Sequence, residues 1–584
     1  MKPLNIRKYL LMLLVPALSF SLLTACSDDD NGTPVDPPTE EDPNLVELAQ
    51  SDDNFSILVD LVVDLDLVDV LSTETLTVFA PTNAAFEALP DGLVESLSTE
   101  ELTEIVTYHV TSGQILSTDL GAEQGVTMLN EERTLVMSSA AGVQVNGSAN
   151  VIQADLQATN GVIHAVDEVL LPSGFREPNL VDVAIGDPEG RFSTLAGLVE
   201  ELGLTLRLQF LGPYTAFAPT NEAFENLDVD VSTLTEEQLT GILTYHVSTE
   251  NAPVMSTDLG PAQMVSTLAL EEPVYVTAGD EGVAVNRTAN VIQADVEASN
   301  GVIHVIDEVL LPNAAIPVTG VVSKNYELLT LLSLVAERPA VLEALSDPSG
   351  TFTVFAPNND AFGDVLSANP DLTEDQATEI LAYHVLLAEV LSGDLEEAQT
   401  VETLGEEEIY VTVDNGEVTI NNSATVAMAD LQGNNGVVHI IDGVLLPNAF
   451  TPVTGIVAKN YNLSTLLSLV AERQDILDTL SGDGEFTVFA PTNEAFDAAL
   501  EAFPDLTDEQ ITEILTYHVL AAEVFSTDLS DGQTAETLQG EEITVTIDDG
   551  VQINNSNVVT ADLAGTNGVV HIIDAVILPP SYTE

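Results

Sequence analysis

The sequence predicts four tandem domains of the α+β class, and three repeated motifs lead to this prediction. A ten-residue block, TVFAPTNAAF at its first occurrence, recurs as TAFAPTNEAF, TVFAPNNDAF and TVFAPTNEAF. A Tyr-His pair and then an Asn-Gly-Val-Ile/Val-His segment follow each block in the same order. A repeat of this length matches a whole domain rather than a solenoid unit. The prolines of the four blocks are 138, 138 and 134 residues apart: Pro81, Pro219, Pro357 and Pro491.

The ten-residue block predicts a buried strand end, a proline turn and the start of a helix. Proline fixes φ, and a side-chain oxygen of Thr82 or Asn83 can accept a backbone N–H at the helix start. Phe79 and Phe86 would then pack into the core. We therefore interpret the block as structural rather than as a ligand-binding loop.

A second helix is predicted immediately before each Tyr-His pair. Ser98 and Glu101 form a capping-box pattern, and Thr507 and Gln510 repeat it in the fourth domain. Apolar residues then follow with helical spacing. In the first domain this apolar stripe consists of Leu102, Ile105, Val106 and His109.

Downstream of the Tyr-His pair the apolar pattern changes to a period of two, which predicts strands. These strands lie around residues 143–145 and 151–156 in the first domain. The dipeptide Asn160-Gly161 predicts a hairpin turn into a third strand over residues 162–166. Helices in the first half and antiparallel strands in the second half indicate an α+β domain.

All eight histidines of the chain lie in the repeated motifs, and we interpret them as core residues. Each helix histidine falls on the apolar stripe, and each strand histidine shares a face with Val162 and Val166 or their equivalents. A metal site made of His109, His164 and Asp155 is an alternative, because two imidazoles and a carboxylate are a workable ligand set. That site requires the two histidines to meet in space. The strand histidines are His164, His304, His439 and His571.

The three motifs, in this order and four times over, resemble fasciclin (FAS1) domains. The resemblance covers nearly all of residues 44–580 and implies a compact wedge or sandwich of β-strands with packed helices, extracellular and serving adhesion or matrix contact. It places the four domains at residues 44–173, 174–313, 314–448 and 449–580.

In animal members of this family the Tyr-His segment is associated with integrin recognition, so the resemblance makes these pairs a candidate adhesion motif. We expect the tyrosine, at the edge of the helix stripe, to reach solvent. The matching residues are Tyr108, His109, Tyr245, His246, Tyr383, His384, Tyr517 and His518.

The first 25 residues are predicted to be a removable signal. Lys2, Arg7 and Lys8 precede an uncharged apolar run over residues 9–23, which is shorter than the ~20 residues of a membrane-spanning helix. The run ends in Leu-Thr-Ala before Cys26, and this resembles a bacterial lipoprotein signal. Cys26 would carry the lipid and attach the protein to the membrane. An ordinary signal peptide with a chance cysteine is the alternative.

Residues 26–43 are predicted to form an extended acidic, proline-rich tether. Its Ser-Asp-Asp-Asp start resembles the export signal of surface lipoproteins in Bacteroidetes-type bacteria, and a solvated spacer is the alternative. We therefore expect a cell-envelope location as an outer-membrane lipoprotein, with surface exposure.

The composition excludes several classes of function. The chain has 95 acidic and 12 basic residues and a net charge of −83, which argues against nucleic-acid binding, because phosphate contacts need clustered Lys and Arg. Its single cysteine excludes an internal disulfide framework and a Cys-rich zinc module. The common catalytic and phosphate-binding motifs are absent from the sequence. We predict a non-enzyme without a cofactor or a bound metal.

The sequence therefore favours a lipid-anchored, non-catalytic adhesion protein whose surface protein or glycan partner is not named by any motif. A surface or periplasmic module that binds a polysaccharide or a small ligand is the alternative. A metal-dependent hydrolase using the paired histidines is a third hypothesis.

Overall fold

The computed structural model describes residues 42–582 except residues 228, 230, 251, 270–271, 281, 369–371 and 549. The predicted signal, Cys26 and most of the acidic tether lie outside the described residues. The chain divides into two compact units, one ending at Pro172 and the other beginning at Ser173. The first unit holds domain one, and the second holds domains two to four.

Domain one combines six short helices with one seven-stranded sheet. Its elements are α1 Leu45–Gln50, α2 Ser56–Asp64, α3 Val68–Thr73, β1 Leu76–Pro81, α4 Asn83–Glu87, α5 Leu93–Ser96, α6 Thr99–Thr107, β2 Val110–Ser112, β3 Glu123–Thr127, β4 Arg133–Ser139, β5 Gly142–Val145, β6 Ala149–Ala158 and β7 Gly161–Val166. The strand order in the sheet is β2-β1-β7-β6-β5-β4-β3.

The other three domains repeat this sheet order. Domain two contains α7 Leu180–Ile185, α8 Ser193–Glu201, α9 Thr205–Phe210, β8 Tyr214–Pro219, α10 Asn221–Glu225, α11 Glu236–Tyr245, β9 Val247–Ser248, β10 Gln263–Val265, β11 Val274–Gly279, β12 Gly282–Val285, β13 Ala289–Ala298 and β14 Gly301–Ile306. Domain three contains α12 Val318–Lys324, α13 Leu329–Ala336, α14 Pro339–Ser346, β15 Phe352–Pro357, α15 Asn359–Ala368, α16 Glu374–Ala382, β16 Val385–Leu386, β17 Ala398–Glu402, β18 Glu408–Asp414, β19 Glu417–Ile420, β20 Ala424–Gly433 and β21 Gly436–Ile441.

Domain four contains α17 Val453–Lys459, α18 Ser464–Ala471, α19 Gln474–Leu480, β22 Phe486–Pro491, α20 Asn493–Ala502, α21 Asp508–Tyr517, β23 Val519–Leu520, β24 Thr534–Glu536, β25 Glu542–Ile547, β26 Val551–Ile553, β27 Ser556–Gly565 and β28 Gly568–Ile573. The predicted fold class, four tandem α+β domains, is confirmed.

The first strand of each domain pairs with the last strand in parallel, and this pairing joins two of the sequence motifs. In domain one, β1 and β7 are aligned so that Phe79 lies opposite His164. The remaining strand pairs of that sheet are antiparallel, as the period-two pattern predicts. All six residues of β1 are buried, as expected for a strand that is covered on both faces.

Each face of β1 contributes to a different hydrophobic core. Val78 packs beneath the helices with residues such as Phe55 and Val106. Phe79, on the opposite face, packs inside the sheet with residues such as Tyr108 and Val136. The strand is therefore the partition between the helical layer and the sheet interior.

The predicted helix starts are confirmed. Thr82 caps α4 by accepting the N–H of Ala85, and Ser98 forms a complete capping box with Glu101 at the start of α6. The fourth domain repeats that box with Thr507 at the start of α21.

The predicted hairpin turn at Asn160 is confirmed. The side chain of this asparagine also connects the helices of the domain to its sheet. Its side-chain oxygen accepts the N–H of Leu45 at 2.8 Å, and its amide donates to the carbonyl oxygens of Leu71 and Glu74 at 2.9 Å. The side chain therefore joins the starts of α1 and β7 to the end of α3. The equivalent residues are Asn300, Asn435 and Asn567.

The glycine after this asparagine is required by the parallel pairing. Gly161 has φ +155°, and a Cβ there would lie 1.9 Å from the carbonyl oxygen of Leu76 on β1. A larger residue would force β1 and β7 apart at the start of their ladder.

Candidate functional site

The helix histidines of the Tyr-His pairs are buried and neutral. His109 is 1 % exposed; its Nδ1 donates to the carbonyl oxygen of Ile105 at 2.8 Å, and its Nε2 accepts the N–H of Leu170 at 2.8 Å. Burial lowers the pKa of His109 to about 4, because the charged form would be desolvated. The same bonds and the same pKa recur at His246, His384 and His518.

Both ring nitrogens of the strand histidines are likewise hydrogen-bonded to backbone groups. His164 donates from Nε2 to the carbonyl oxygen of Ile115 at 2.9 Å, and its Nδ1 accepts the N–H of Asp155 at 3.3 Å. The ring also stacks on Phe79 with centroids 5.5 Å apart. Burial lowers the pKa of His164, so this imidazole is neutral as well.

These bonds leave no imidazole nitrogen available to a metal. Both nitrogens of His109 and both of His164 are occupied by backbone groups, and the Asp155 carboxylate accepts the N–H of Ser117 at 2.8 Å and its hydroxyl. Across residues 42–582, with the gaps given above, no group of three or more potential metal ligands converges. The hypothetical site of these three residues is therefore not formed.

The tyrosines of the Tyr-His pairs do not reach solvent, so the expectation that they would is wrong. Tyr108 and Tyr383 are 1 % exposed, and Tyr245 and Tyr517 are fully buried. The helix stripe places each tyrosine at its edge, but the sheet interior covers that edge. Recognition of the Tyr-His segments by a partner stays a prediction, and their side chains are enclosed in the domain.

Three of the buried tyrosines lie in the second unit, and the hydroxyl of Tyr245 bonds directly to the next domain. The Tyr245 hydroxyl donates to the carbonyl oxygen of Pro273 at 3.1 Å and accepts from Asn286 at 3.1 Å. It also accepts from Nζ of Lys324, at the end of α12 in domain three, at 3.0 Å. The tyrosine is therefore part of a domain junction.

Lys324 is the centre of the junction between domains two and three. It is only 4 % exposed, and its Nζ lies 2.7 Å from Oε1 of Glu272 and 4.8 Å from the centre of the Tyr245 ring. Burial lowers the pKa of Lys324, and Glu272 opposes that shift. Glu272 also accepts the N–H of Asn313 at 2.7 Å, so the ion pair is backed by a backbone bond.

Lys459 occupies the same place between domains three and four, with different bonds. Its Nζ lies 5.5 Å from the centre of the Tyr383 ring and donates to the carbonyl oxygen of Leu446 at 2.5 Å and to Asn448 at 3.1 Å. Burial lowers the pKa of Lys459 to about 8, and the nearby Glu407 opposes the shift.

An aromatic contact accompanies each lysine. Tyr326 meets Tyr275 edge-on with centroids 5.8 Å apart, and Tyr461 meets Tyr410 in the same way at 6.0 Å. Asn325 adds a bond to the Tyr275 hydroxyl at 3.1 Å. The Lys-Asn-Tyr triplet at the end of the first helix of domains three and four is therefore a docking element.

The triplet is evident in the sequence, but its role in docking cannot be predicted from the sequence of one domain alone. Lysine is almost never fully buried unless it is paired, so a lysine at a helix end is normally interpreted as exposed. Its partners Glu272 and Tyr245 come from the preceding repeat. Only the recurrence of the triplet at two successive junctions could have indicated a shared contact.

An open cleft lies beside the first of these junctions. It has a volume of about 1040 Å³ and is lined by domains two and three, with Arg191, Glu222 and Asp307 on one side and Ile316 and Lys324 on the other. By contrast, the apolar cavities beneath the helices of domains one, three and four measure about 30 Å³ each, which is room for a water molecule or two.

No helix in the described part of the chain is long and apolar enough to cross a membrane.

Comparison with known proteins agrees with the repeated architecture. A family model for the fasciclin domain matches residues 53–172, 190–312, 327–447 and 461–579. The chain is 29 % identical over 524 residues to transforming growth factor-beta-induced protein ig-h3 of Sus scrofa, covering 87 % of this chain and 73 % of that protein. It is 28 % identical over 524 residues to periostin of Homo sapiens, covering 86 % and 60 %.

One domain also resembles a bacterial surface protein, the cell surface glycolipoprotein MPB83 of Mycobacterium bovis, with 41 % identity over 138 residues that cover 22 % of this chain and 61 % of that protein. Among solved structures, a FAS1 domain pair from the insect cell adhesion molecule fasciclin I matches with 22 % identity and a TM-score of 0.36, covering 44 % of this chain and 98 % of that one. With four family matches that include every repeated motif, the chain belongs to the fasciclin domain family.

Proposed function

We propose that the protein is a lipid-anchored cell-surface adhesion protein whose four fasciclin domains bind a partner without catalysing a reaction. The observation that carries the proposal is the match of all four domains to this family. A relative that shares one such domain is named a cell surface glycolipoprotein, which agrees with an anchored surface location.

The exposed faces of the domains, rather than the Tyr-His side chains, are the proposed contact surface. The tyrosines and histidines of the motif bond to the backbone and to the domain junctions. A partner that approaches the folded domain meets an acidic surface instead, since the net charge is −83. We therefore expect the partner, a surface protein or a glycan, to be cationic, or to be bridged by cations.

The anchor is tested by replacing the proposed lipid attachment point. Cys26→Ala is expected to move the protein from the membrane fraction to the soluble fraction, because one cleaved apolar run leaves no other attachment. Ser27→Ala is the matched control and should leave the protein in the membrane fraction. A Cys26→Ala protein that remains in the membrane fraction with a processed N-terminus would contradict the lipid anchor.

Surface exposure and adhesion need a separate experiment. Protease added to intact cells is expected to remove the four domains, and cells that carry the anchored protein should adhere to one another or to matrix more than Cys26→Ala cells do. Domains that resist protease until the outer membrane is opened would contradict the surface location.

The cleft between domains two and three favours the alternative function, capture of a polysaccharide or a small polar ligand. Its volume of about 1040 Å³ and its charged lining suit such a ligand, whereas the apolar cavities of about 30 Å³ are too small for a hydrophobic one. A glycan array probed with the protein from Ser27 onward tests this alternative. Selective binding that Arg191→Ala removes would favour a binding module over an adhesin.

A further inference from the structure

The side chains of Lys459 and Asn448 are in direct contact at the junction between domains three and four. Nζ of Lys459 donates to the side-chain oxygen of Asn448 at 3.1 Å and to the carbonyl oxygen of Leu446 at 2.5 Å. The lysine is 7 % exposed, and its Nζ faces the ring of Tyr383. An amine and a carboxamide are therefore held together in a poorly solvated position, and these two groups are able to react with each other.

A carboxylate accompanies the amine and the carboxamide. Oε2 of Glu407 accepts the backbone N–H of Asn448 at 2.9 Å, and its negative charge acts on the amine of Lys459. At the preceding junction the equivalent Glu272 accepts both the backbone N–H of the corresponding asparagine and Nζ of Lys324, at 2.7 Å each. A carboxylate at this position therefore reaches the amine while it stays bonded to the asparagine.

The same three residue types recur at both junctions with the same spacing but with different bonds. The lysine follows the asparagine by 11 residues, and the glutamate precedes the asparagine by 41 residues. Nζ of Lys324 is bonded to Glu272 and not to Asn313, whose side-chain oxygen is buried and has no hydrogen-bond partner among the described residues. One junction therefore shows the lysine with its proton acceptor, and the other shows the lysine with the carboxamide.

The surroundings of Lys459 favour the form of its amine that reacts. Burial lowers the pKa of Lys459 to about 8, although Glu407 opposes this shift, so on the order of a tenth of the amine is neutral at pH 7. Tyr383 also faces the amine, and burial raises the pKa of its hydroxyl group, which therefore stays uncharged. A neutral, desolvated lysine amine is a nucleophile, and a carbonyl carbon held beside it reacts far faster than one in free solution.

We propose that Lys459 and Asn448 form an isopeptide bond within the chain, with Glu407 as the proton carrier. The asparagine side chain turns its carbonyl carbon toward the amine, the neutral Nζ attacks Cγ, and a C–N bond forms. The proton that Nζ loses passes to the carboxylate and then to Nδ2, the Cγ–Nδ2 bond breaks, and ammonia leaves. An amine and a carboxamide thus give a secondary amide and ammonia, without an oxidant, a reductant or a co-reactant. Asn448 is only half-buried, so the ammonia has a path to solvent.

The bond joins the end of domain three covalently to the first helix of domain four. It closes a ring from residue 448 to residue 459 and fixes the end of α17 where its lysine already docks. The chain with the free amine is the precursor, and only in the precursor does this lysine titrate. The proposal does not depend on the lipid anchor or on adhesion.

The test uses the protein from Ser27 onward, in which Lys324 and Lys459 are the only lysines. The folded protein is kept at about pH 8.5, where most of the amine is neutral, then unfolded in guanidinium chloride, diluted and digested with endoproteinase Lys-C. The intact mass is expected to fall by about 17 Da, the mass of ammonia. Lys-C, which needs a free lysine, should cut after Lys324 but no longer after Lys459. Residues 325–584 then remain one fragment, and tandem mass spectrometry locates the bond in it.

Glu407→Gln and Asn448→Ala should both keep the full mass and be cut after both lysines, because the proton carrier or the carboxamide is missing. Glu408→Gln is the matched control, since Glu408 is the exposed neighbour of Glu407, and it should form the bond at the rate of the parent. A parent chain that is kept unfolded throughout should also be cut after both lysines, because only the fold brings the two side chains together.

The proposal is overturned if the folded parent is cut after Lys459 as completely as after Lys324. It is also overturned if the mass loss maps to an Asn-Gly pair while Lys459 is cut, because that product is a succinimide. Formation of the bond in Glu407→Gln at the rate of the parent would overturn the role of the carboxylate.

Discussion

The ammonium group of Lys459 lies 5.5 Å from the centre of the Tyr383 ring and donates to the carbonyl oxygen of Leu446. One residue of domain four is thus enclosed by domain three. The contact places a charge in a poorly solvated position, and the cost of that burial appears as a lowered lysine pKa. The free energy of unfolding of this junction is therefore expected to depend on pH in the alkaline range.

We expect the stability of the domain-three to domain-four junction to rise with pH above about 8. Burial lowers the pKa of Lys459 from 10.5 to about 8, so between these values the unfolded chain binds a proton that the folded chain has released. The free energy of unfolding then rises with pH, by up to an amount on the order of 3 kcal/mol at the upper end of this window.

Urea unfolding followed by far-UV circular dichroism between pH 7.5 and about 9.5 measures this rise; at higher pH the tyrosines of the unfolded chain ionise and oppose it. Lys459→Met is the control, because it retains the aliphatic stem and cannot titrate. An equal rise in Lys459→Met would assign the effect to other groups.

Because the helix histidines are buried in their neutral form, we expect the domains to lose stability in mild acid. The folded-state pKa of His109 is lowered from 6.5 to about 4, so the stability that neutral His109 contributes is complete above pH 6.5 and is lost as the pH falls toward 4. The full loss is on the order of 3 kcal/mol for each such histidine. His109→Gln should destabilise domain one at pH 7, and its deficit relative to the parent should narrow between pH 6.5 and 4.5.

Urea titrations of both proteins across this pH range measure the deficit. A deficit that stays constant with pH would mean that His109 does not titrate as a buried neutral group. A stoichiometric metal that copurifies with the parent and is lost in the variant would instead contradict its interpretation as a core residue.

Asn435 is predicted to be essential for joining the helices of domain three to its sheet. Its side chain accepts the N–H of Val318 and donates to the carbonyl oxygens of Leu345 and Asp347, and it is 3 % exposed. Asn435→Asp keeps the shape but removes both donors, so we expect a loss of about 3 kcal/mol or more. The neighbouring exposed Asn434→Asp should change stability by less than about 0.5 kcal/mol.

Thermal melts of the two variants give the comparison directly. Similar melting temperatures for Asn435→Asp and Asn434→Asp would show that the buried bonds contribute little. The same substitution at Asn567, which has equivalent bonds, provides an independent repeat in domain four.

The acidic surface predicts that added salt stabilises the protein. At a net charge of −83 the folded domains repel themselves, and unfolding relieves this repulsion by separating the charges. Screening by NaCl should raise the melting temperature most steeply up to about 0.5 M, and self-association should strengthen over the same range. Divalent cations should act at lower concentrations.

Melts of the four-domain chain in a salt series, with light scattering alongside, measure both quantities. A melting temperature that falls with salt would mean that specific ion pairs, such as Lys324 with Glu272, outweigh the general repulsion.

The sequence by itself determined the features that depend on near neighbours or on repetition. The capping box of Ser98 and Glu101 spans four residues, and the hairpin turn at Asn160 is made by adjacent residues, so both follow from local chemistry. The number of domains followed from the fourfold recurrence of the motifs. The burial of the histidines followed from their place on apolar faces, since periodicity alone fixes which side of an element meets the core.

Only the tertiary structure decided how distant segments meet. The parallel pairing that places Phe79 beside His164 joins the first and last strands of a domain, and no local pattern encodes the choice of partner strand. The tyrosine at the edge of each helix stripe is buried because the sheet interior closes over it. A lysine at a helix end, such as Lys324, is expected from sequence to be exposed to solvent. Lys324 is buried instead, because Glu272 and Tyr245 of the preceding domain compensate its charge. Such compensation exists only when two folded domains are in contact.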